Sequence, residues 1–339
     1  MPRKRRPVMS DVARLAGVSH QTVSRVINDS RHVRAETRER VEIAMRQLNY
    51  RPNSVARALV TGRSKTLGVV SFDTTLYGPA STLYGIERAA HDAGYFITIA
   101  SLERLDRASV LEAIERLRMQ GVDGILVIAP QEGGARALLQ APAGVPLVAL
   151  EAGPHDVVPL ASVDQFAGAW LATDHLLQLG HRTVWHLSGP TGWPEAADRV
   201  RGWRDALQAG GATLPPALEG DWSARSGHEL ALQLVDDPNV TAIFVANDQM
   251  ALGALRALHE SGRRIPQDVS VVGFDDIPEA PYFTPPLTTV RQDFNEMGRR
   301  GLRLLLDAIA MPDGPPTHLE VAPELVVRAS SGPPPHRAG

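Results

Sequence analysis

Gln21 and Arg25 stand four residues apart, so on a helix they share one face. A glutamine amide can bond bidentately to adenine, and an arginine fork to guanine O6 and N7. His20 stands beside them. Around this trio Ser19, Thr22, Ser24, Asn28, His32 and Thr37 are short polar groups suited to phosphate contacts, which fix register without reading sequence. Ser19 and Thr37 suit helix caps equally well. This is the chemistry of a DNA-reading helix.

Other chemistries find little support. With no cysteine, the chain has no disulfide, thiolate nucleophile or zinc finger. Of the 11 histidines, His175 and His181 lie near each other, at a spacing that fits no helical ligand pair. Asp73, Glu151 and Asp164 are conceivable acid–base groups. Yet no Gly-x-Gly-x-x-Gly follows a strand and no Walker loop is present. A cofactor-binding enzyme is therefore the weakest reading, and neither cofactor nor metal is expected.

The elements that would position the reading helix are short. Asp11–Ala16, Gly17-Val-Ser19 and the segment from His20 form two helices joined by a tight glycine turn, a helix-turn-helix. The helices are expected at about 10–16, 20–28 and 34–48, within a head of residues 1–52. Charge agrees: residues 1–65 hold 15 Lys/Arg against 5 Asp/Glu, a net of +10. The other 274 residues hold 20 against 33, a net of −13. A basic end on an acidic body points to a polyanion-binding head and a body with another task. Residues 53–65 read as a hinge helix and linker; Ser54–Val60 is two turns at most, too short to be stable alone.

From Thr66 apolar bursts alternate with amphipathic helices. They fall at Leu67–Val70, Phe96–Ala100, Gly124–Ile128 and Pro146–Leu150, then at Thr183–Leu187, Ala242–Val245 and Val269–Phe274. Continuous apolar strands alternating with helices mean parallel sheets covered on both faces, here two doubly wound lobes with a cleft between them. Ligands in such folds sit beyond the carboxyl ends of the strands. No run of 18 apolar residues exists, and Val-Met-Ser-Asp after the basic first seven residues interrupts any signal core. A cytoplasmic protein is expected, with a disordered Gly-Pro tail at 332–339.

Several motifs in order carry a resemblance. Gly17-Val-Ser-His-Gln-Thr-Val-Ser-Arg-Val26, Thr37-Arg-Glu-Arg-Val41 and Leu48-Asn-Tyr-Arg-Pro-Asn53 stand in the head. Glu219-Gly-Asp-Trp-Ser-Ala224, Val245-Ala-Asn-Asp-Gln-Met-Ala-Leu-Gly253, Val271-Val-Gly-Phe-Asp-Asp276 and Pro286-Leu-Thr-Thr-Val-Arg-Gln-Asp-Phe294 stand in the body. Over roughly residues 8 to 330 the chain resembles the LacI/GalR family of sugar-responsive transcription regulators. The resemblance implies a homodimer bound to a palindromic double-stranded operator, and an α/β two-lobed periplasmic-binding-protein-like body spanning 66–331. The N-lobe would be about 66–162 and 293–320, and the C-lobe about 163–292 and 321–331.

The resemblance also assigns residues. Asn53, Ala56 and Leu59 would contact DNA from the hinge, with Leu59 either a wedge between bases or a packing leucine between two hinge helices. Leu76, Pro79, Ile128, Glu151, Trp193, Arg199, Trp222, Asn247, Asp275, Gln292 and Phe294 would surround a small sugar. Arg199 and Asp275 would meet its hydroxyls with Asn247 as third partner, and Trp222 would be its aromatic plate. Phe294 and Leu76 would close apolar walls, with Gln292 near the lobe crossover. Asp275 also suits a capping carboxylate, Trp222 a core tryptophan and Arg199 a bridge between helices.

Departures from the nearest members fall at His20 (tyrosine there), Ile128 (asparagine) and Glu151 (aspartate). Trp193 adds an aromatic that would suit a second ring. A β-galactoside or other disaccharide inducer is expected, with cellobiose, another glycoside or a corepressor as alternatives. No leucine heptad follows Gly332, so a dimer is expected.

Overall fold

The structure, a computed structural model, describes residues 7–27, 32–51, 62–104, 106–129, 131, 134, 137–138, 140, 144–152, 157–312 and 314–335. Asn28, Asn53, Ala56 and Leu59 lie outside the described residues. The chain divides into two compact units, Met1–Ser64 and Lys65–Gly339.

The first unit holds α1 (Met9–Ala16), α2 (His20–Ile27) and α3 (Ala35–Gln47). Helix α1 starts before Ser10, because Asp11 Oδ2 accepts the Val8 N–H at 3.0 Å and closes the first turn one residue early. Gly17 ends it at φ +64°, a conformation a side chain would strain. Val12, Val23 and Val41, one from each helix, meet fully buried, with Ala13, Ala16, Val26 and Ala44 around them.

The second unit runs β1 (Thr66–Phe72), α4 (Tyr77–Asp92), β2 (Phe96–Leu102), α5 (Arg107–Met119), β3 (Gly124–Ile128), β4 (Leu147–Leu150), β5 (Leu160–Val163) and α6 (Gln165–Gln178). It continues through β6 (Trp185–Ser188), α7 (Pro194–Ala209), β7 (Leu218–Glu219), α8 (Ala224–Leu232), β8 (Ala242–Val245), α9 (Asp248–Glu260) and β9 (Ser270–Asp275). Then come β10 (Thr288–Arg291), α10 (Phe294–Ala310), β11 (His318–Val321) and β12 (Glu324–Val326).

Two six-stranded sheets result, ordered β11-β5-β4-β3-β1-β2 and β12-β10-β9-β8-β6-β7. Every pairing is parallel except β12 with β10. Central strands such as β3 and β8 are buried along their whole length, as strands with helices on both faces must be. The chain passes between the sheets three times: after β5, after β10 and between β11 and β12. The first and third passages are tied, the Asp164 N–H donating to the Val321 carbonyl at 3.0 Å.

The C-terminal segment corrects one expectation. Residues 332–335 are not a disordered tail but are held on the second lobe. His181 Nε2 and Ser270 Oγ both donate to the Gly332 carbonyl at 2.9 Å, and the Gly332 N–H donates to Ser270 Oγ at 3.0 Å. His175 Nε2 bonds Ser331 Oγ at 2.9 Å. The histidine pair that fitted no metal thus anchors the chain end. No cluster of three metal-ligating side chains occurs among the described residues. No helix among them is long and apolar enough to cross a membrane.

Candidate functional site

In the head, Ser19 caps α2: its Oγ accepts the Thr22 N–H at 3.1 Å and bonds Thr22 Oγ1 at 2.9 Å. That cap leaves His20 and Gln21 exposed in the first turn, and Arg25 exposed one turn on, while Val23 and Val26 face the core. Thr22, Ser24 and Thr37 are half-buried and His32 is exposed. Thr37 lies inside the first turn of α3, whose N-cap is Arg34, so its capping role is corrected.

In the body, all eleven residues assigned to the cleft line one cavity, together with Tyr77, Gly78, Thr82, Glu195 and Gln249. Strand ends and helix starts deliver most of them. Glu151 follows β4, Asp275 ends β9, Leu76 and Trp193 precede α4 and α7, and Phe294 opens α10. Glu151, Trp222 and Asp275 have φ of +57°, +71° and +110°. Each such conformation costs a non-glycine residue roughly 1–3 kcal/mol, so neighbours must hold it. For Asp275 they are visible: the adjoining Asp276 accepts from Arg291 Nε at 2.7 Å and Arg328 Nη2 at 2.6 Å.

Arg199 is the centre of the polar wall. Its guanidinium stacks 3.9 Å over Phe274 and 5.4 Å from the Trp222 ring. Nε donates to Gln165 Oε1 at 2.9 Å and Nη1 to the Ala246 carbonyl. Nη2 faces Glu195 at 3.8 Å and Asp275 at 3.9 Å. Gln292 Nε2 donates to Asp275 Oδ1 at 2.6 Å. Asn247 lines the cavity and its amide makes two bonds, Oδ1 capping α9 by accepting the Met250 N–H at 2.8 Å and Nδ2 donating to the Trp222 carbonyl at 3.1 Å, which leaves one N–H and one lone pair. It shapes the wall by holding Trp222.

Trp193 meets Trp222 edge to face at 5.6 Å, forming an aromatic corner. Trp222 can sit there because Gly189 has no side chain; a Cβ would lie 2.1 Å from its ring. Burial pushes Glu195 up to about 7 and Asp275 up to about 6, against the lowering pull of Arg199. Burial, then the charge of Glu195, also raises Glu151 well above its usual range. Three buried polar atoms on the wall have no protein partner: Glu151 Oε1, Trp222 Nε1 and Gln249 Oε1.

The residues overlooked in the sequence have simple signals. Glu195 stands one turn before Arg199 on α7, and Gln249 stands two residues after Asn247. Tyr77 and Thr82 belong to the helix that Leu76 precedes.

Residues 8–53 match the model of bacterial regulatory proteins of the lacI family, and 173–331 that of a periplasmic binding protein-like domain. The chain is 39% identical over 300 residues to the lactose operon repressor of Escherichia coli K12, covering 87% of this chain and 83% of that one. It is 34% identical over 331 residues to the PurR transcriptional repressor of Haemophilus influenzae, covering 95% and 98%. A crystal structure of the lac repressor dimer, bound to operator and the anti-inducer ONPF, superposes with a TM-score of 0.85 at 36% identity. That match covers 97% of this chain and 100% of that one.

Proposed function

The chain belongs to the lacI family of bacterial DNA-binding transcriptional repressors, is not an enzyme, and on that premise we propose that a glycoside bound in the cleft releases it from a palindromic operator. The observation that carries this reading is the set of unpartnered polar atoms around the Trp193–Trp222 corner. Glu151 Oε1 and Gln249 Oε1 need donors and Trp222 Nε1 needs an acceptor. A ring bearing several hydroxyls supplies both and offers an apolar face to the tryptophans. Arg199 Nη2 and Asp275 then meet adjacent hydroxyls. A β-galactoside or other disaccharide suits a wall that pairs unpartnered polar atoms with an aromatic corner. Ile128, Glu151 and the added Trp193, the departures noted in the sequence, all lie on this wall.

The head in this reading places His20, Gln21 and Arg25 in the major groove, with Ser19, Thr22 and Ser24 on phosphates. The protein works as a homodimer, because a palindrome demands two-fold symmetry. An unpartnered edge strand supports this: on β2, Phe96 is 77% and Ile99 44% exposed, and Tyr84 is 57% exposed on the adjoining α4. Inducer acts by binding the released state more tightly than the DNA-competent one. A cytoplasmic location follows from the same role.

The test is fluorescence anisotropy of a labelled palindromic operator at fixed salt, titrated with a panel of glycosides. Release by one of them supports the reading. Sequence-specific binding that no glycoside alters would discard the effector and redirect the search to purines, phosphosugars or a corepressor.

A further inference from the structure

The cleft gathers more carboxyl groups than a neutral sugar calls for, and burial pushes all three toward the protonated form unless a cation joins them. Glu151, Glu195 and Asp275 all line it, and Arg199 is the one Lys, Arg or His among the described residues that does. Its Nη2 is already shared between Glu195 and Asp275, at 3.8 and 3.9 Å. Glu151, buried to 5% exposure, keeps Oε1 without any partner. Behind the wall His186 stacks on Phe244 at 4.5 Å, and burial drives its pKa down to about 4, so it supplies no charge near neutral pH. A desolvated carboxylate must take a proton, a cation or several donors. The three carboxylates do not converge closely enough to hold a metal ion.

We propose that the effector is an amino sugar, a glycoside whose free ammonium sits between Glu151 and Glu195. The proposal rests on the glycoside reading and narrows it. The ammonium donates to Glu151 Oε1 and faces the Glu195 carboxylate, while the remaining hydroxyls meet Arg199 Nη2, Asp275 and Gln249 Oε1. The wall beside it suits a cation as well. Trp222 meets Trp193 at 5.6 Å and Trp193 meets Phe72 at 6.4 Å, so π-electron density borders the site on one side. A simple polyamine would leave Trp222 Nε1 without an acceptor; a sugar hydroxyl provides one.

The experiment is tryptophan fluorescence titration of the full-length protein near neutral pH. Four ligands are compared: the β-1,4-linked glucosamine disaccharide with free amines, its N-acetylated form, cellobiose and lactose. N-acetylation removes the charge and keeps the ring, so the comparison needs no variant. The free amine should bind about tenfold or more tighter than the other three. Glu151→Gln and Glu195→Gln, checked for unchanged melting, should each bring free-amine affinity down to within a few-fold of cellobiose affinity measured in the same variant. Tightest binding by the N-acetylated or a neutral disaccharide overturns the ammonium assignment and leaves the glycoside reading standing. Intact operator binding with no response to any of the four overturns both.

Discussion

Gln165 and Gln292 meet side chain to side chain, Gln165 Nε2 donating to Gln292 Oε1 at 2.8 Å. Gln165 follows the first passage between the lobes and Gln292 lies on the second. The pair completes a buried relay: Arg199 Nε donates to Gln165, Gln165 to Gln292, and Gln292 to Asp275. The two charged ends are the groups aimed into the cleft, and the two amides sit on the segments that must bend if the lobes move. The relay thus joins the charged wall of the cleft to both passages through buried hydrogen bonds.

Gln165→Leu breaks the relay in two places, leaving Arg199 Nε and Gln292 Oε1 buried without partners. Each orphan costs about 1–3 kcal/mol. Urea unfolding should show a loss of that order, and effector affinity should fall with it. Operator affinity without effector should change far less, because the substitution lies outside the head.

Stability should depend on pH through Glu195 and Asp275. Their folded values, about 7 and about 6, lie above the ordinary values of 4.5 and 3.8. The folded state therefore binds more protons in between, and its stability falls as pH rises through those windows, flattening above them. Glu195→Gln removes its share. Urea midpoints at several pH values should show the variant gaining on the parent between about 4.5 and about 7. A constant difference would exclude Glu195 as the source.

Gly189→Ala places a methyl 2.1 Å from the Trp222 ring. The ring must shift, because Asn247 Nδ2 holds its backbone carbonyl. Overpacking of this kind costs typically 1–3 kcal/mol. The near-ultraviolet dichroism of Trp222 should change, and glycoside affinity should drop more than operator affinity.

Truncation after Pro335 keeps the bonds of Ser330 and Gly332, whereas truncation after Ala329 removes them and should lower Tm by several degrees relative to it. Ser330 Oγ accepts the Thr288 N–H at 2.7 Å and donates to the Val271 carbonyl at 2.6 Å, so its loss exposes partners in two neighbouring strands. Thermal scans of the two truncations separate the outcomes.

In the head, Arg25→Ala should relax operator preference at one base position at a cost of about 1–3 kcal/mol. Ser19→Ala should weaken all sequences alike and also cost helix α2 its cap, about 1 kcal/mol. Salt-dependent anisotropy on matched and mismatched operators distinguishes them.

Sequence pattern reached the elements that are buried on both faces. Gly124-Ile-Leu-Val-Ile128 is an unbroken apolar run because helices cover both its sides. His318-Leu-Glu-Val321 and Glu324-Leu-Val326 gave no such run, being partly exposed edge strands of four and three residues. The cleft residues were found through motif likeness; hydrophobic periodicity alone has no way to single out Ile128. Glu195 was passed over because it lies on the same helix as Arg199 and reads as an ordinary surface ion pair. The ordered tail was passed over because Gly-Pro composition is silent about a carbonyl caught by His181 and Ser270.

Neither lobe is a continuous stretch of chain. The first sheet waits for β11, and the second is stitched shut only by residues 330–332. The head, by contrast, is complete within the first 64 residues. On the ribosome, synthesis from the amino end finishes the head while the body still lacks its closing strands. A growing polypeptide therefore carries a folded DNA-reading unit for most of its translation, before it has any means of sensing an effector. A stop codon anywhere between β1 and β11 would leave that unit attached to a body that cannot close, so such alleles should produce heads with no body to regulate them.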